Sequence, residues 1–226
     1  MAFGTAGLDF NQEPQSTLAD AIEAPERIDS VFVERLLVRC EDNLSLLAAP
    51  ATVEAAGDLA ADVFDPVLDA ARSLAPYIVL DLPHGWPDWK RRLLLSSEDM
   101  VLVCEPDLAS LRNAKNILEY MRKHRPADLS LRLILNKAAM ARRPEISSSD
   151  FERGLALVPS AIIPHDAKLF GTAANHGQML ADTEGSTKIV KLLQSVCVAV
   201  TGVGAPKPDH MRLIAPLVAK LRSAFV

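Results

Sequence analysis

The chain reads as an α/β protein of three layers, a mostly parallel sheet with helices on both faces. Three observations predict this. Short apolar runs alternate with longer stretches of helical periodicity, the order expected when a crossover helix follows each strand. The apolar runs lack polar alternation, as strands covered on both faces do. A proline closes four of them, at Ala49-Pro50, Leu82-Pro83, Glu105-Pro106 and Ile163-Pro164. Proline cannot donate a ladder hydrogen bond, so each marks where pairing stops and a strand-end loop begins. Four such loops are expected to gather on one edge, outside the carboxyl ends of the strands, where open α/β sheets bind ligands.

The first eleven residues begin Ala2-Phe3-Gly4-Thr5-Ala6-Gly7, small side chains that suit a tight turn or close backbone approach. Strands are expected over 44–48, 77–82, 100–104, 131–135 and 161–163. A helix is expected over 65–74, with Val67, Leu68 and Ala71 on one side. Another is expected over 108–121, where Leu111, Ala114, Ile117, Leu118 and Met121 recur at spacings of three and four. Arg142-Arg143-Pro144-Glu145-Ile146 is a polar, proline-broken loop after the fourth strand. Residues 1–200 are read as one domain. Residues 201–226 are read as a Gly/Pro-rich linker followed by an amphipathic helix carrying Ile214, Leu217, Val218, Leu221 and Phe225.

Composition narrows the classes of function. At 226 residues and 49% hydrophobic content the chain can bury a core of its own. Its 24 basic and 29 acidic residues give a net charge of −5, which offers no general attraction to phosphate backbones, so no nucleic acid is expected as partner. The three cysteines form no C-x-x-C, and Cys104 falls in an apolar run as a small core residue. With no export leader and no apolar run of about 18 residues, a cytoplasmic location is expected, with contact at a membrane surface left open.

The candidate chemistry lies at strand ends. Asp81 closes the apolar run Tyr77-Ile78-Val79-Leu80 and precedes Pro83, His84 and Gly85. There a carboxylate can reach Mg²⁺ through water, or simply cap a following helix. Asn136, at the end of the fourth strand with Lys137, offers two donors and an acceptor suited to a purine edge, or to its own loop. Pro164, His165 and Asp166 follow the fifth strand, where a rigid proline turn can wall a flat base. His84 has no second metal ligand at a recognisable spacing. Trp86 and Trp89 read either as a partner surface or as packing at a helix start. No G-x-S-x-G elbow occurs, which leaves acyl transfer without support. The Gly202-Val203-Gly204-Ala205-Pro206-Lys207 stretch fails as a phosphate loop, because its proline precedes the lysine and no Ser or Thr follows. No G-x-x-x-x-G-K-[ST] and no Gly-Lys pair occurs anywhere in the 226 residues.

Taken together, several segments resemble the ParA/MinD superfamily of deviant Walker ATPases, and within it the TadZ/CpaE pilus-assembly branch. They are residues 2–10, Asp42-Asn43-Leu44-Ser45-Leu46-Leu47, Val79-Leu80-Asp81-Leu82-Pro83-His84, residues 105–116, Leu135-Asn136-Lys137, Ile163-Pro164-His165-Asp166, and Leu169-Phe170-Gly171-Thr172-Ala173-Ala174-Asn175-His176-Gly177-Gln178-Met179. The resemblance implies a P-loop NTPase-like fold. It also implies that Asp81 matches the Walker B acid acting on Mg through water, and that no side chain binds the metal directly. Asn136, with Lys137 beside it, matches the adenine-reading position, and Pro164, His165 and Asp166 the second wall of the base pocket. ATP and Mg are the implied cofactors. The implied role is a homodimeric cytoplasmic factor that places the Tad/Flp pilus secretion machinery at a cell pole, with type II-like secretion components as partners. The alternative is a nucleotide-free scaffold of the same assembly. Family members carry a phosphate loop, its strand and its helix ahead of the segment matching Ala2, so the fold is expected to be incomplete at the N-terminus, through truncation or a misplaced start. Residues 207–226 suit docking on a membrane, a partner or their own domain. Only three cations accompany the apolar side, which favours protein.

Overall fold

A computed structural model describes residues 4–49, 61–125 and 130–203 of the chain. Three short helices open it: α1 (Ala6–Asp9), α2 (Leu18–Glu23) and α3 (Ser30–Leu36). Thr17 caps α2 in a reciprocal box with Asp20, and the Asp29 carboxylate caps α3 by accepting from the Phe32 N–H. The close approach anticipated for the first residues is present. A Cβ at Gly4 would lie 2.8 Å from the Cβ of Ala49.

The next two strands correct the sequence reading. β1 (Val38–Glu41) and β2 (Leu44–Leu46) form an antiparallel pair of their own, in which Val38 faces Leu46 and Arg39 faces Ser45. The apolar run at 44–48 is therefore one arm of a hairpin turning at Asp42-Asn43. Asp and Asn suit such a turn, and the short intervening length forbids a parallel crossover.

The second correction concerns 77–82. This run is neither helix nor strand among the described residues, and Tyr77, Ile78, Val79 and Leu80 are exposed, Val79 to 92%. Hydrophobicity nominated a buried strand here; burial on two faces needs neighbours on both sides, and among the described residues none pairs with it. Leu82 alone turns inward. It packs against a cluster of Leu94, Met100 and Met121 and against a second core shared by the N-terminal helices with α4 (Ala61–Leu74) and α5 (Asp88–Ser96). Phe64 and Trp89 stack in that second core at 4.9 Å, and Trp86 meets Tyr120 edge-on at 5.2 Å. Both tryptophans thus make packing contacts.

The remaining segments form a parallel sheet in the order β3 (Asp99–Cys104), then, beyond α6 (Leu108–His124), β4 (Ser130–Ala138), and, beyond α7 (Ser148–Leu155), β5 (Pro159–Pro164). Val103 is level with Ile134 and Leu135 with Ile162. α8 (Ala167–His176) and α9 (Thr187–Thr201) complete the described chain. On one face Cys104, Leu133 and Leu135 pack against Ala114 and Leu118 of α6 and Phe151 and Leu155 of α7. On the other, Ile134, Ala161 and Ile163 pack against Leu169 of α8 and Ile189 and Val196 of α9. The expected three layers are present, with period-2 alternation sending neighbouring strand residues to opposite helical layers.

β4 is longer than anticipated, so Asn136 and Lys137 lie within its last stretch of pairing and not beyond it; Ala138 still pairs with Pro164. α9 ends at Thr201 on a left-handed Gly202, φ 68°. Ala2, Phe3, Pro50 and the amphipathic stretch 207–226 lie outside the described residues. Among those described, no helix is long and apolar enough to cross a membrane.

Candidate functional site at the carboxyl edge of the sheet

Because the three sheet strands are parallel, their carboxyl ends share one edge, and three loops meet there. The loops are stitched by backbone hydrogen bonds. The His165 N–H donates to the Ala138 carbonyl at 2.7 Å, and the Ile146 N–H donates to the Pro106 carbonyl at 2.9 Å. The first of these bonds joins the end of β4, with Asn136 and Lys137, to the end of β5, with Pro164, His165 and Asp166.

Asn136 is half-buried, and its Oδ1 accepts the Lys137 N–H at 2.9 Å. That bond fixes the orientation of the amide and leaves Nδ2 as the group with donors to spare. Lys137 sits at φ 54° and sends Nζ to Glu105 Oε1 at 2.6 Å. Asp166 caps α8, its Oδ1 accepting the Leu169 N–H at 2.9 Å, while its side and that of His165 are open to solvent. Asp166 also lines a shallow cleft of about 610 Å³ with Lys168, Thr172 and His176; Asn136 is not part of it.

Sequence reasoning missed the charged cluster that holds this edge. Glu105 accepts from Lys137 and, through Oε2, from Arg143 Nη1 at 2.5 Å. Arg143 Nη2 also donates to the Lys137 carbonyl at 2.8 Å. Glu145 accepts the N–H groups of Ala139 and Met140, both at 2.9 Å. These bonds accommodate the left-handed backbone at Lys137, Ala139 and Arg142, so the turn after β4 is fixed by side chains rather than by glycine. The hydrogen bond from Lys137, with that from Arg143, holds the Glu105 carboxyl below its ordinary range, and the two backbone N–H groups do the same for Glu145. Arg143 Nε is a buried side-chain polar atom with no partner among the described residues. The signal was present as Arg143-Pro144-Glu145 after one strand and Glu105 after its neighbour, but their meeting depends on strand adjacency.

Asp81 stands apart. It is exposed, in the unpaired run, and makes no hydrogen bond or ion pair among the described residues. Nearby, Lys90 Nζ donates to the carbonyl of Pro83. No group of three or more His, Cys, Asp or Glu side chains among the described residues is arranged to hold a metal ion. A magnesium triphosphate is not matched by the described residues, which hold no glycine loop that carries a lysine.

A parallel sheet with helices on both faces defines a three-layer α/β protein. More particularly, the fold is that of the MinD/ParA-type P-loop NTPases. A ParA family ATPase from Chlorobium tepidum superposes with a TM-score of 0.70 at 21% identity, over 82% of this chain and 76% of that one. MinD from Pyrococcus horikoshii, solved with Mg-ADP, gives 0.70 at 18% identity, over 86% and 79%. In sequence, the septum site-determining protein MinD of Thermotoga maritima is 24% identical over 153 residues, 66% of this chain. The chain spans 56% of the length of that relative. No family model matches the chain.

Proposed function

We propose that this chain is a MinD/ParA-type positioning factor of the TadZ/CpaE kind, acting as a homodimer on the Tad/Flp pilus secretion machinery. Residues 1–226 supply the base-facing part of its ATP site. The observation that carries the reading is the bond from the His165 N–H to the Ala138 carbonyl at 2.7 Å, which sets Asn136 beside Pro164 on the carboxyl edge. In this arrangement Asn136 Nδ2 donates to a ring nitrogen of adenine and Pro164 supports the ring, while Asp166 stays committed to α8. Phosphate contacts dominate affinity at such sites, and the sequence holds no glycine loop to make them. The pilus assignment is supported by the 169–179 segment, which resembles that branch in particular.

Titration of the purified chain with fluorescent ATP plus Mg²⁺, and with adenosine, tests the nucleotide reading. Equally weak responses to the two are expected, because the base contributes what little recognition there is. Micromolar ATP binding with much weaker adenosine binding would overturn it. Deleting the coding region in its host is expected to abolish surface pili; normal piliation would overturn the pilus assignment. A nucleotide-free scaffold of the same assembly is the second reading, favoured by Lys137 being engaged by Glu105 rather than free for a ligand.

A further inference from the structure

The end of β4 does not keep the register of the sheet. Leu135 pairs with Ile162 and Ala138 with Pro164, so Asn136 and Lys137 of β4 stand opposite the single residue Ile163 of β5. That is a β-bulge, a feature that re-aims side chains at the edge of a sheet. Lys137, its second residue, sits at φ 54°, a conformation that favours glycine. The Lys137 N–H donates to Asn136 Oδ1 at 2.9 Å. The bulge and the Asn136 amide are therefore one unit: the backbone of Lys137 holds the carbonyl end of the amide, and Nδ2 keeps its donors.

The bonds that hold Lys137 in this conformation converge on Glu105. Lys137 Nζ donates to Glu105 Oε1 at 2.6 Å, and Arg143 Nη1 donates to Glu105 Oε2 at 2.5 Å. Arg143 Nη2 in turn donates to the Lys137 carbonyl at 2.8 Å. One carboxylate oxygen thus grips the side chain of Lys137 and the other, through a planar guanidinium, its backbone. Glu105 is set in place by its own neighbours. It follows Cys104, the last residue of β3 and level with Leu135, and its carbonyl accepts the Asp107 N–H at 2.8 Å. Glu145 serves the turn beyond the bulge, accepting the N–H groups of Ala139 and Met140.

We propose that Glu105 is the positioning residue of this edge: by clasping Lys137 and Arg143 from the neighbouring strand, it holds the bulge of β4 that orients the Asn136 amide. The use of that amide toward a base rests on the nucleotide reading above; the clasp itself does not. Both the charge and the two oxygens of Glu105 are required. Glutamine keeps the length of the side chain but offers one acceptor oxygen, and it turns N–H donors toward the second cation.

Amide exchange of the full chain tests the clasp without any ligand. In Glu105→Gln, near neutral pH, exchange at Lys137 is expected to speed about tenfold, while 133–135 stay within about twofold of the parent. The parent should also show a pH profile. Hydrogen bonds from Lys137 and then Arg143 hold the Glu105 carboxyl below its ordinary range, so protection at Lys137 is full above that range and falls as pH drops through the folded value. Asp107 and Glu145, the other carboxyls near Arg143, remain in Glu105→Gln, so the part of the fall that disappears in the variant belongs to Glu105. Lys137→Met releases the clasp from its other end, at a side chain 50% exposed. It is expected to raise exchange at 137 roughly threefold, and the double variant should exchange no faster than Glu105→Gln. Exchange at Lys137 within about twofold of the parent in Glu105→Gln would overturn the proposal, as would equal acceleration at 137 and 133–135, which reports general loss of stability. Should Glu105→Gln fail to fold, unchanged exchange at 137 in Lys137→Met would overturn it. Adenosine added to the parent is expected to move the Asn136 side-chain amide signals in NMR spectra; signals that stay in place would sink the nucleotide reading and leave the clasp standing.

Discussion

Gly177 offers the most decisive substitution. It closes α8 at φ 57°, and a Cβ there would lie 2.8 Å from Asn11 Cβ and 2.9 Å from the Leu8 carbonyl oxygen. Alanine would incur left-handed strain of about 1–2 kcal/mol. It would also have to push back the chain that follows α1, at about 1–3 kcal/mol for overpacking against backbone. Together these give a loss of about 2–5 kcal/mol, or roughly 4–20 °C in Tm for a chain of this size. Gly185 is the control. Its φ is 81° but nothing lies within 4 Å of the place a Cβ would take, so alanine there should cost only the strain, about 1–2 kcal/mol. Gly171, inside α8 with open space around it, should go the other way on alanine substitution, gaining about 0.5–1 kcal/mol. Urea unfolding and thermal melts of the three variants read these values directly. Gly177→Ala and Gly185→Ala differing by less than about 0.5 kcal/mol would refute the packing of residues 8–11 against the end of α8.

Asp107→Ala removes the carboxylate that accepts the Ser110 N–H at 2.7 Å and should cost about 1 kcal/mol in urea unfolding, as an N-cap loss does. Stability should fall in acid. Glu105 is held below its ordinary value first by the Lys137 hydrogen bond, Asp107 by the Ser110 N–H, and Asp99 by the Ser130 hydroxyl. A carboxyl depressed in the folded state contributes fully above its unfolded pKa, near about 4, and loses that contribution as pH drops through the folded value. Urea midpoints should therefore decline from about pH 5 downwards, and less steeply in Glu105→Gln. Burial pushes the Cys104 thiol up to about 11, while Cys197 is exposed. Thiol titration of the native chain should label Cys197 readily and Cys104 only after unfolding.

Much of the fold was legible because it follows local rules. The apolar stretches around Met100, Leu133 and Ala161 are indeed the parallel strands, but only β4 is covered on two faces, and Val101 and Val103 of β3 and Ile162 of β5 are exposed. The periodicity of 108–121 gave a helix that runs on to His124. Proline after β3 and at the end of β5 marked the edge where the candidate residues gather. Two apolar runs misled for one reason: hydrophobicity reports a tendency to be buried and cannot say which neighbour does the burying. The run from Leu44 found a hairpin partner in the strand that begins at Val38, and the run from Tyr77 found no strand among the described residues.

By itself the sequence determined the class of sheet, the order of its elements, the absence of a glycine–lysine phosphate loop in these residues and the strand-end positions of Asn136 and Pro164. Each follows from residue type and spacing along one chain. Tertiary structure decided what depends on adjacency across crossovers. It tied Lys137 to Glu105 and Arg143, gave Asp166 to the α8 cap, left Asp81 without a partner among the described residues and bared Val101, Val103 and the 77–80 run beside the end of α9. Those pairings join residues separated by up to 124 positions, through the Tyr77–Thr201 bond, and only the folded sheet fixes that distance.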